Sequence, residues 1–505
     1  SLFHRGPNEQ SAYVFQNINL IHTRLSIQDI SHGQQPFHFK DFTIIFNGEI
    51  YNYQSLKNQC DWYKFKTNSD TEVLLAYYLK YREKALDLFE GMFSFAIFDK
   101  KSNKIFLARD RFGIKQIYFF KDQKQIIFSS EIKPLLVFTP NVKENKKVLK
   151  TYIKTGMYDF GKETFFDNIF RVEAGTFIEI DVENQNFKEH KWYELQKKLT
   201  TLKISKDDAT SEVNKLFENS VKKHLICDVD VGLNISGGLD SSILLYLVNK
   251  NLPSLNTFNQ DYFGFSEKKW IDKNLETFNF NHHYVRLTAE DIKKKLIETV
   301  KIQEEPFGGV AVIGYNYLYE EVNKRNIKVI LDGNGVDECF LGYEKYVSKS
   351  LDNVSIDGTK SVSDVYLGKK LLEEDILKIP EVEIFDKNEF SKNNAICDLL
   401  YTKLPRALRF NDRMSMSKSI ELRVPFLDHH LVEFGLSLPT EYLIRDNRTK
   451  VIVRDFAQNF LDNEVAFSKK RSVQTPQNIW LGKEYISLVE DIIFSDRLSN
   501  RGWFN

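Results

Sequence analysis

Ser236-Gly237-Gly238-Leu239-Asp240-Ser241-Ser242 is the stretch on which the reading of this chain turns. Before it, Val229, Val231, Leu233 and Ile235 alternate with other residues, the pattern of a strand with one apolar face. After it, residues 243–248 are apolar and open a buried helix. The seven residues are therefore a strand–turn–helix junction. Gly237 and Gly238 let the main chain approach an anion with no Cβ in the way, and Ser236, Ser241 and Ser242 add hydroxyls at the helix N-terminus. Unpaired N–H groups and the helix dipole favour negative charge there. Asp240 would repel a phosphate unless a cation lay between them, which makes it a candidate Mg²⁺ ligand.

No Gly-Lys-Ser/Thr follows the glycines, so the junction is not a Walker loop. It resembles the pyrophosphate loop (PP-loop) of enzymes that cleave ATP between the α- and β-phosphates and make acyl-adenylates. The alternative is a Gly-Ser turn that only joins strand to helix. A second constellation weighs against that alternative. Leu331-Asp332-Gly333-Asn334-Gly335-Val336-Asp337-Glu338 follows another apolar strand, read over 328–331. Glycines and paired acids at a strand end suit a phosphate and a metal, and Asp337 would share with Asp240 a cation bridging the pyrophosphate. Taken alone, Asp-Gly-Asn-Gly is a turn signal.

Bulk properties narrow the partners. Lys and Arg total 70, as do Asp and Glu, so the balance gives no general attraction for nucleic acid or an anionic membrane. Hydrophobic residues make up 42% and charged residues 28% of 505 residues, the make-up of a globular chain of several domains. Cys60, Cys227, Cys339 and Cys397 form no CxxC pair, which argues against a disulfide framework and for a reducing cytoplasm. No apolar run approaches the roughly 18 residues of a membrane span, and no signal peptide is visible.

Residues 1–196 show short alternating runs, read as strands over 42–46, 93–98, 104–108, 116–120, 125–128 and 176–180. Helices are read over 71–81 and 83–89. Strands in series with few helices predict a layered antiparallel α+β domain. Polar clusters sit at the strand ends. They offer a guanidinium (Arg24) for a carboxylate, a carboxylate (Asp70) for an ammonium, and a Gly-flanked amide (Asn47, Gly48) for an oxyanion. Singly, each cluster is equally a turn or a cap. Residues 197–208 read as a connector. From 209 to 505, helices (211–225, 315–324) alternate with apolar strands, which predicts a doubly wound parallel α/β domain with ligand at the strands' C-terminal ends.

In order along nearly the whole chain, these clusters resemble one family. His4-Arg5-Gly6-Pro7, Arg24-Leu25-Ser26-Ile27, Phe46-Asn47-Gly48-Glu49-Ile50-Tyr51-Asn52 and Ser69-Asp70-Thr71-Glu72 look like the glutaminase domain of class II glutamine amidotransferases. Glu90-Gly91-Met92-Phe93, Arg109-Asp110-Arg111-Phe112-Gly113-Ile114-Lys115 and Ser129-Ser130-Glu131-Ile132-Lys133 narrow the match to the asparagine synthetase B branch. The resemblance implies an Ntn-hydrolase-like domain, then a PP-loop synthetase, with ATP and Mg²⁺ as cofactors and a homodimer as a candidate assembly. It implies that glutamine is bound by Arg24, Asn47, Gly48, Glu49 and Asp70, with Asn47 and Gly48 as the oxyanion hole. Asp332 stands where a serine is common, Gly333 packs by the nucleotide, and Lys450 contacts the adenylate phosphate. The family nucleophile is an N-terminal cysteine. The chain opens on Ser1, and its first residues match a family stretch lying further in, so a preceding segment is expected. Without it glutamine hydrolysis should be dead, because Cys60 is loop-like and has no terminal amine.

Two departures bear on the acceptor. Asn334 stands where asparagine-forming enzymes usually carry a carboxylate, and Glu304-Glu305-Pro306-Phe307-Gly308-Gly309 is altered after the proline; both point to a changed acceptor pocket. The main expectation is an asparagine synthase; the alternatives are amidation of another acid, such as a uronic acid in surface polysaccharide synthesis, a catalytically silent relative, or an ammonia-only synthetase. Adjacent His282 and His283 would face opposite sides of a strand, which favours a structural role. Asn411-Asp412-Arg413-Met414-Ser415-Met416, with Glu421-Leu422-Arg423-Val424-Pro425-Phe426-Leu427-Asp428, resembles the family's C-terminal run and reads equally as a wall of the substrate cleft or as a core junction. Lys469-Lys470-Arg471 reads as a solvated or phosphate-screening loop.

Overall fold

The computed structural model describes residues 1–505 other than 253, 279, 348–362, 379–388 and 469–474; the run Lys469-Lys470-Arg471 lies outside the described residues. In the N-terminal half the alternating runs pair antiparallel into a six-stranded sheet. Its order is Asn186–Lys191, Thr176–Asp181, Lys104–Arg109, Gly91–Asp99, Phe42–Ile50 and Phe37–Phe39. The central strand shows why the domain is layered. Phe93, Phe95 and Ile97 point to one face, where Val73, Leu74 and Tyr77 of helix Asp70–Tyr81 cover them. Ala96 and Phe98 point to the other, under Ile18 and Leu20 of the hairpin Glu9–Phe15/Ile18–Arg24.

Three elements differ from the sequence reading. The strand expected to end at 46 runs on to Ile50, so Asn47, Gly48 and Glu49 lie inside it, opposite Ser94, Phe93 and Met92. Gly48 makes this continuation possible: its φ is +144°, and an added Cβ would sit 2.0 Å from the Met92 carbonyl oxygen. The stretch 83–89 is a 3₁₀ helix, Arg82–Leu88, because Arg82 at φ +54° interrupts the preceding α-helix. The connector is docked rather than loose. Leu199 is buried, the Leu202 N–H donates to the Ser437 carbonyl at 2.9 Å, and the next helix already starts at Lys206, capped by Ser205.

The C-terminal half is built on five parallel strands, in the order Asn281–Leu287, Asn256–Tyr262, Val231–Asn234, Val329–Leu331, Glu421–Arg423. Numbered along the chain this is 3-2-1-4-5. The direction of winding therefore reverses between Val231–Asn234 and Val329–Leu331, and a crevice opens at their C-terminal ends. Those two ends carry Ser236–Ser242 and Asp332–Glu338.

The halves meet across buried charge. Arg5 donates to Asp412 at 2.8 and 3.2 Å and to Glu131 at 3.0 Å. Arg413 lies 2.8 Å from Glu304 and 3.3 Å from Glu131. Glu304 also accepts the main-chain N–H groups of Ile132 and Lys133, both at 2.8 Å. Burial pushes the Glu131 carboxyl up, but Arg413, His4 and Arg5 outweigh it and hold it below the ordinary carboxylate range.

Candidate active site

Lys450 Nζ is the centre of the crevice at the switch point of the parallel sheet. It lies 2.6 and 2.7 Å from the two carboxylate oxygens of Asp240 and 2.6 Å from Asp337 Oδ1, with its side chain 3% exposed. Sequence places these residues far apart; topology brings them together. Asp240 sits in the first turn of helix Leu239–Asn249, and Asp337 in the first turn of helix Val336–Cys339, one on each side of the switch point. Gly342 clears the space: an added Cβ there would fall 2.0 Å from Asp337 Oδ1 and 2.1 Å from Lys450 Cε. A Cβ added at Gly333 would lie 3.5 Å from the Ser241 nitrogen and 3.7 Å from Asp240 Cβ, so the two loops run side by side.

The glycine-serine loop is tied by its own side chains. The Ser241 hydroxyl donates to the Ser236 carbonyl at 2.7 Å and accepts the Ser236 N–H at 3.1 Å. Ser242 is buried, donates to the Gly238 carbonyl at 2.8 Å and accepts from Asn274 at 2.9 Å. This corrects the expectation of hydroxyls aimed at an anion: Ser241 and Ser242 shape the turn. Gly237 is required because an added Cβ would meet Trp270 Cβ at 2.5 Å.

The two carboxylates fit a phosphate-bound Mg²⁺. They already flank one cationic atom, the Lys450 ammonium, beside an anion-type loop. Among the described residues no group of three or more His, Cys, Asp or Glu side chains gathers to hold a metal. Two carboxylates are what Mg²⁺ takes when phosphate and water supply the rest.

Next to this point Asp332 accepts from Asn234 Nδ2 at 3.1 Å and from the Asn334 N–H at 3.1 Å. Burial pushes its carboxyl up, against both hydrogen bonds. Tyr319 is buried beside Asn234, which donates to its hydroxyl at 3.4 Å, and its ring stacks on Tyr315.

The residues expected from the sequence to bind glutamine are also gathered in the N-terminal domain. Three main-chain carbonyls fix the Arg24 guanidinium: Asp29 at 2.7 Å, Ile30 at 3.1 Å and Gln28 at 3.2 Å. Asp29 in turn accepts the Asn68 N–H at 2.7 Å, which brings the Arg24 loop to the start of helix Asp70–Tyr81. Asp70 accepts the Ile50 N–H at 2.9 Å, joining that helix to the strand that carries Asn47 and Gly48. Burial pushes the Asp70 carboxyl up to about 7. Asn47 Nδ2 donates to Ser130 Oγ at 3.3 Å.

Several assignments change. Glu49, on the strand that carries Asn47 and Gly48, is buried and lies 3.3 Å from Arg423 of the parallel sheet; burial, tempered by Arg423 and reinforced by Glu421 and Asp70, raises its carboxyl well above the ordinary range. Glu304 and Glu305, which precede the altered stretch Phe307-Gly308-Gly309, hold the domain interface; Glu305 accepts the Phe165 N–H at 3.0 Å and lies 3.3 Å from Arg171. Asp412 and Arg413 belong to the same interface. His282 and His283 bond Thr257 and Asn256 of the neighbouring strand. The motif around Arg109 is scaffold: Asp110 accepts the N–H groups of Phe93, Phe112, Ile114 and Lys115 at 2.9–3.2 Å. Burial raises the Cys60 thiol, so it is a poor nucleophile. Sequence reading missed Asn234 and Gly342, and places Arg423 only within a longer run without a role of its own. The signal for Asn234 was an amide closing an apolar strand just before the loop; for Arg423, a cation in a strand of a buried sheet.

Comparisons with known proteins agree with this geometry in both halves. A family model described as asparagine synthase matches residues 212–505, and one described as a glutamine amidotransferase domain matches residues 1–193. Asparagine synthetase [glutamine-hydrolyzing] 1 of Bacillus subtilis is 30% identical, over 97% of this chain and 85% of that protein. Asparagine synthetase [glutamine-hydrolyzing] 3 of the same organism is 30% identical, over 93% and 82%. A fungal protein named amidase chry2, from Gibberella zeae, is 26% identical, over 99% and 87%.

Proposed function

The chain belongs to the asparagine synthetase B family, an ATP-consuming, glutamine-using ligase that forms an amide and releases AMP, and from that premise we propose the roles of its residues. ATP activates the acceptor carboxylate as an acyl-adenylate and releases pyrophosphate. Ammonia from glutamine attacks the acyl carbon, and AMP departs. The main chain of Ser236–Ser242 holds the pyrophosphate, with Ser236, Gly237, Gly238, Asp240, Ser241 and Ser242 as one unit. Asp332 and Gly333 pack beside the nucleotide, and Asn334 faces the acceptor. Lys450 stabilises the negative charge that develops as ammonia adds. Asp240 and Asp337 hold Mg²⁺, which when bound would neutralise charge on the departing pyrophosphate.

In the N-terminal domain Arg24 takes the glutamine α-carboxylate, Asp70 its ammonium, and Asn47 and Gly48 the oxyanion. The ammonium of glutamine would draw the Asp70 proton off, because an adjacent positive charge favours the carboxylate. The balanced charge of the chain favours small-molecule partners over nucleic acid or membrane, and the few cysteines favour the cytoplasm. A homodimer is the assembly to test by sedimentation.

The observation that carries this reading is the convergence of Asp240 and Asp337 on one cationic point at the switch point. We assign aspartate as the acceptor. The neutral Asn334 is the observation that favours a second acid, such as a uronic acid. AMP release is to be measured with aspartate and with uronic acids, each with ammonium or glutamine. AMP above background with aspartate alone supports the first reading; release with a uronic acid alone replaces it.

A further inference from the structure

Lys450 is an unusual residue for its position. It is the N-cap of helix Val451–Ala457 and holds φ +54°, in the left-handed region that a long side chain seldom adopts. A cation at a helix N-terminus also opposes the helix dipole. The backbone gives no reason for a lysine here; Asp240 and Asp337 do. The ammonium stands 2.6–2.7 Å from three of their oxygens, and glycine is required at 342 to leave it room. A Mg²⁺ bound to both carboxylates would need oxygens about 2.0–2.1 Å away, which is the ground the ammonium covers. Two like charges cannot share it.

We propose that the Lys450 ammonium and a phosphate-bound divalent metal are alternative occupants of the one position between Asp240 and Asp337, so that the metal enters by exchange with lysine. The inference rests on the assignment of Asp240 and Asp337 to a metal. Lysine suits the part. It is a compact charge on a four-carbon stem with three donors, able to leave one anion for another by rotating about single bonds. Free divalent metal arriving alone would have to strand the ammonium in a buried crevice. Metal arriving with pyrophosphate brings anionic oxygens to which the displaced ammonium turns. The exchange therefore orders binding: the metal enters with its phosphate ligand and poorly without it. The same movement delivers Lys450 to the phosphates.

Equilibrium dialysis of the whole protein against Mn²⁺, with and without inorganic pyrophosphate, separates protein-bound metal from metal–pyrophosphate in free solution. The wild type is expected to bind Mn²⁺ at least tenfold more tightly with pyrophosphate than without it. Lys450→Met and Lys450→Gln are expected to bind Mn²⁺ alone at least tenfold more tightly than the wild type and to lose most of the gain from pyrophosphate. Equal affinity of the wild type in the two conditions overturns the exchange and needs no variant that has to fold. Equal affinity of wild type and folded variants for Mn²⁺ alone overturns it as well. If Asp240→Asn and Asp337→Asn leave Mn²⁺ binding unchanged in every arm, the metal assignment itself falls, which is a separate result.

Discussion

At the proposed glutamine site side chains are held by main chain: Arg24 by three carbonyls, Asp70 by an N–H, Asn47 and Gly48 by the strand that contains them. At the synthetase site charge is held by charge: Asp240 and Asp337 by Lys450, on two loops that run side by side only because the sheet winding reverses there. The first arrangement is set by backbone geometry, and a change there acts through shape. The second is set by electrostatics, and a change there acts through an unneutralised ion. The two sites should therefore fail differently and independently.

The largest effect is expected from Asp337→Ala. Losing one of two charge-clamping carboxylates should lower AMP formation about a thousandfold, since such stabilisation is worth several kcal/mol. Glutamine hydrolysis in the same full-length protein should change little, and a matching loss in both activities would break the contrast. Gly48→Ala comes next. With φ +144° and the Met92 carbonyl in the way, the strand must part. Glutamine-dependent amide formation should fall about a hundredfold, near the value of one oxyanion donor, while ammonium-dependent formation survives. The ratio of the two rates is the readout.

Arg423→Met tests where the regions join. It leaves Glu49 and Glu421 buried without their guanidinium, and breaking a buried pair costs about 3–5 kcal/mol, to be read by chemical denaturation. The mildest effect belongs to Asp70. Its carboxyl titrates near 7 in the folded chain and near 3.9 when unfolded. At low pH both states carry the proton and the cost is absent. As pH rises from about 4 to 7 the unfolded state releases its proton first, so stability falls, by about 1.4 kcal/mol per pH unit at most. Asp70→Asn should flatten that slope in thermal melts between about pH 4 and 7, and weaken glutamine use.

Much of this contrast was legible beforehand. Val231, Leu233 and the glycines of the next turn announced a strand, a sharp bend and a helix, and local patterns of that kind depend on neighbours in sequence. That Asp240 and Asp337 share one cation was legible from their two loops; that the Lys450 ammonium stands between them was not, because it depends on packing that periodicity does not encode. Glu49 shares a strand face with Asn47, as strand alternation requires; its ion pair with Arg423 of the other sheet is what sequence spacing does not reveal. Asp412 reads equally as cleft wall or core junction in the sequence, because the partner that decides it, Arg5, lies in the other domain.

The ionic seam of Arg5, Glu131, Glu304, Asp412 and Arg413 makes this a two-domain protein that cannot be treated as two proteins. Severed in the 199–205 connection and expressed as halves, the chain would present water with a face designed for its twin, and each fragment is expected to precipitate unless the other is co-produced. Recombination that swaps one half for a cousin's must match the opposing charges as well, so the halves are obliged to drift together.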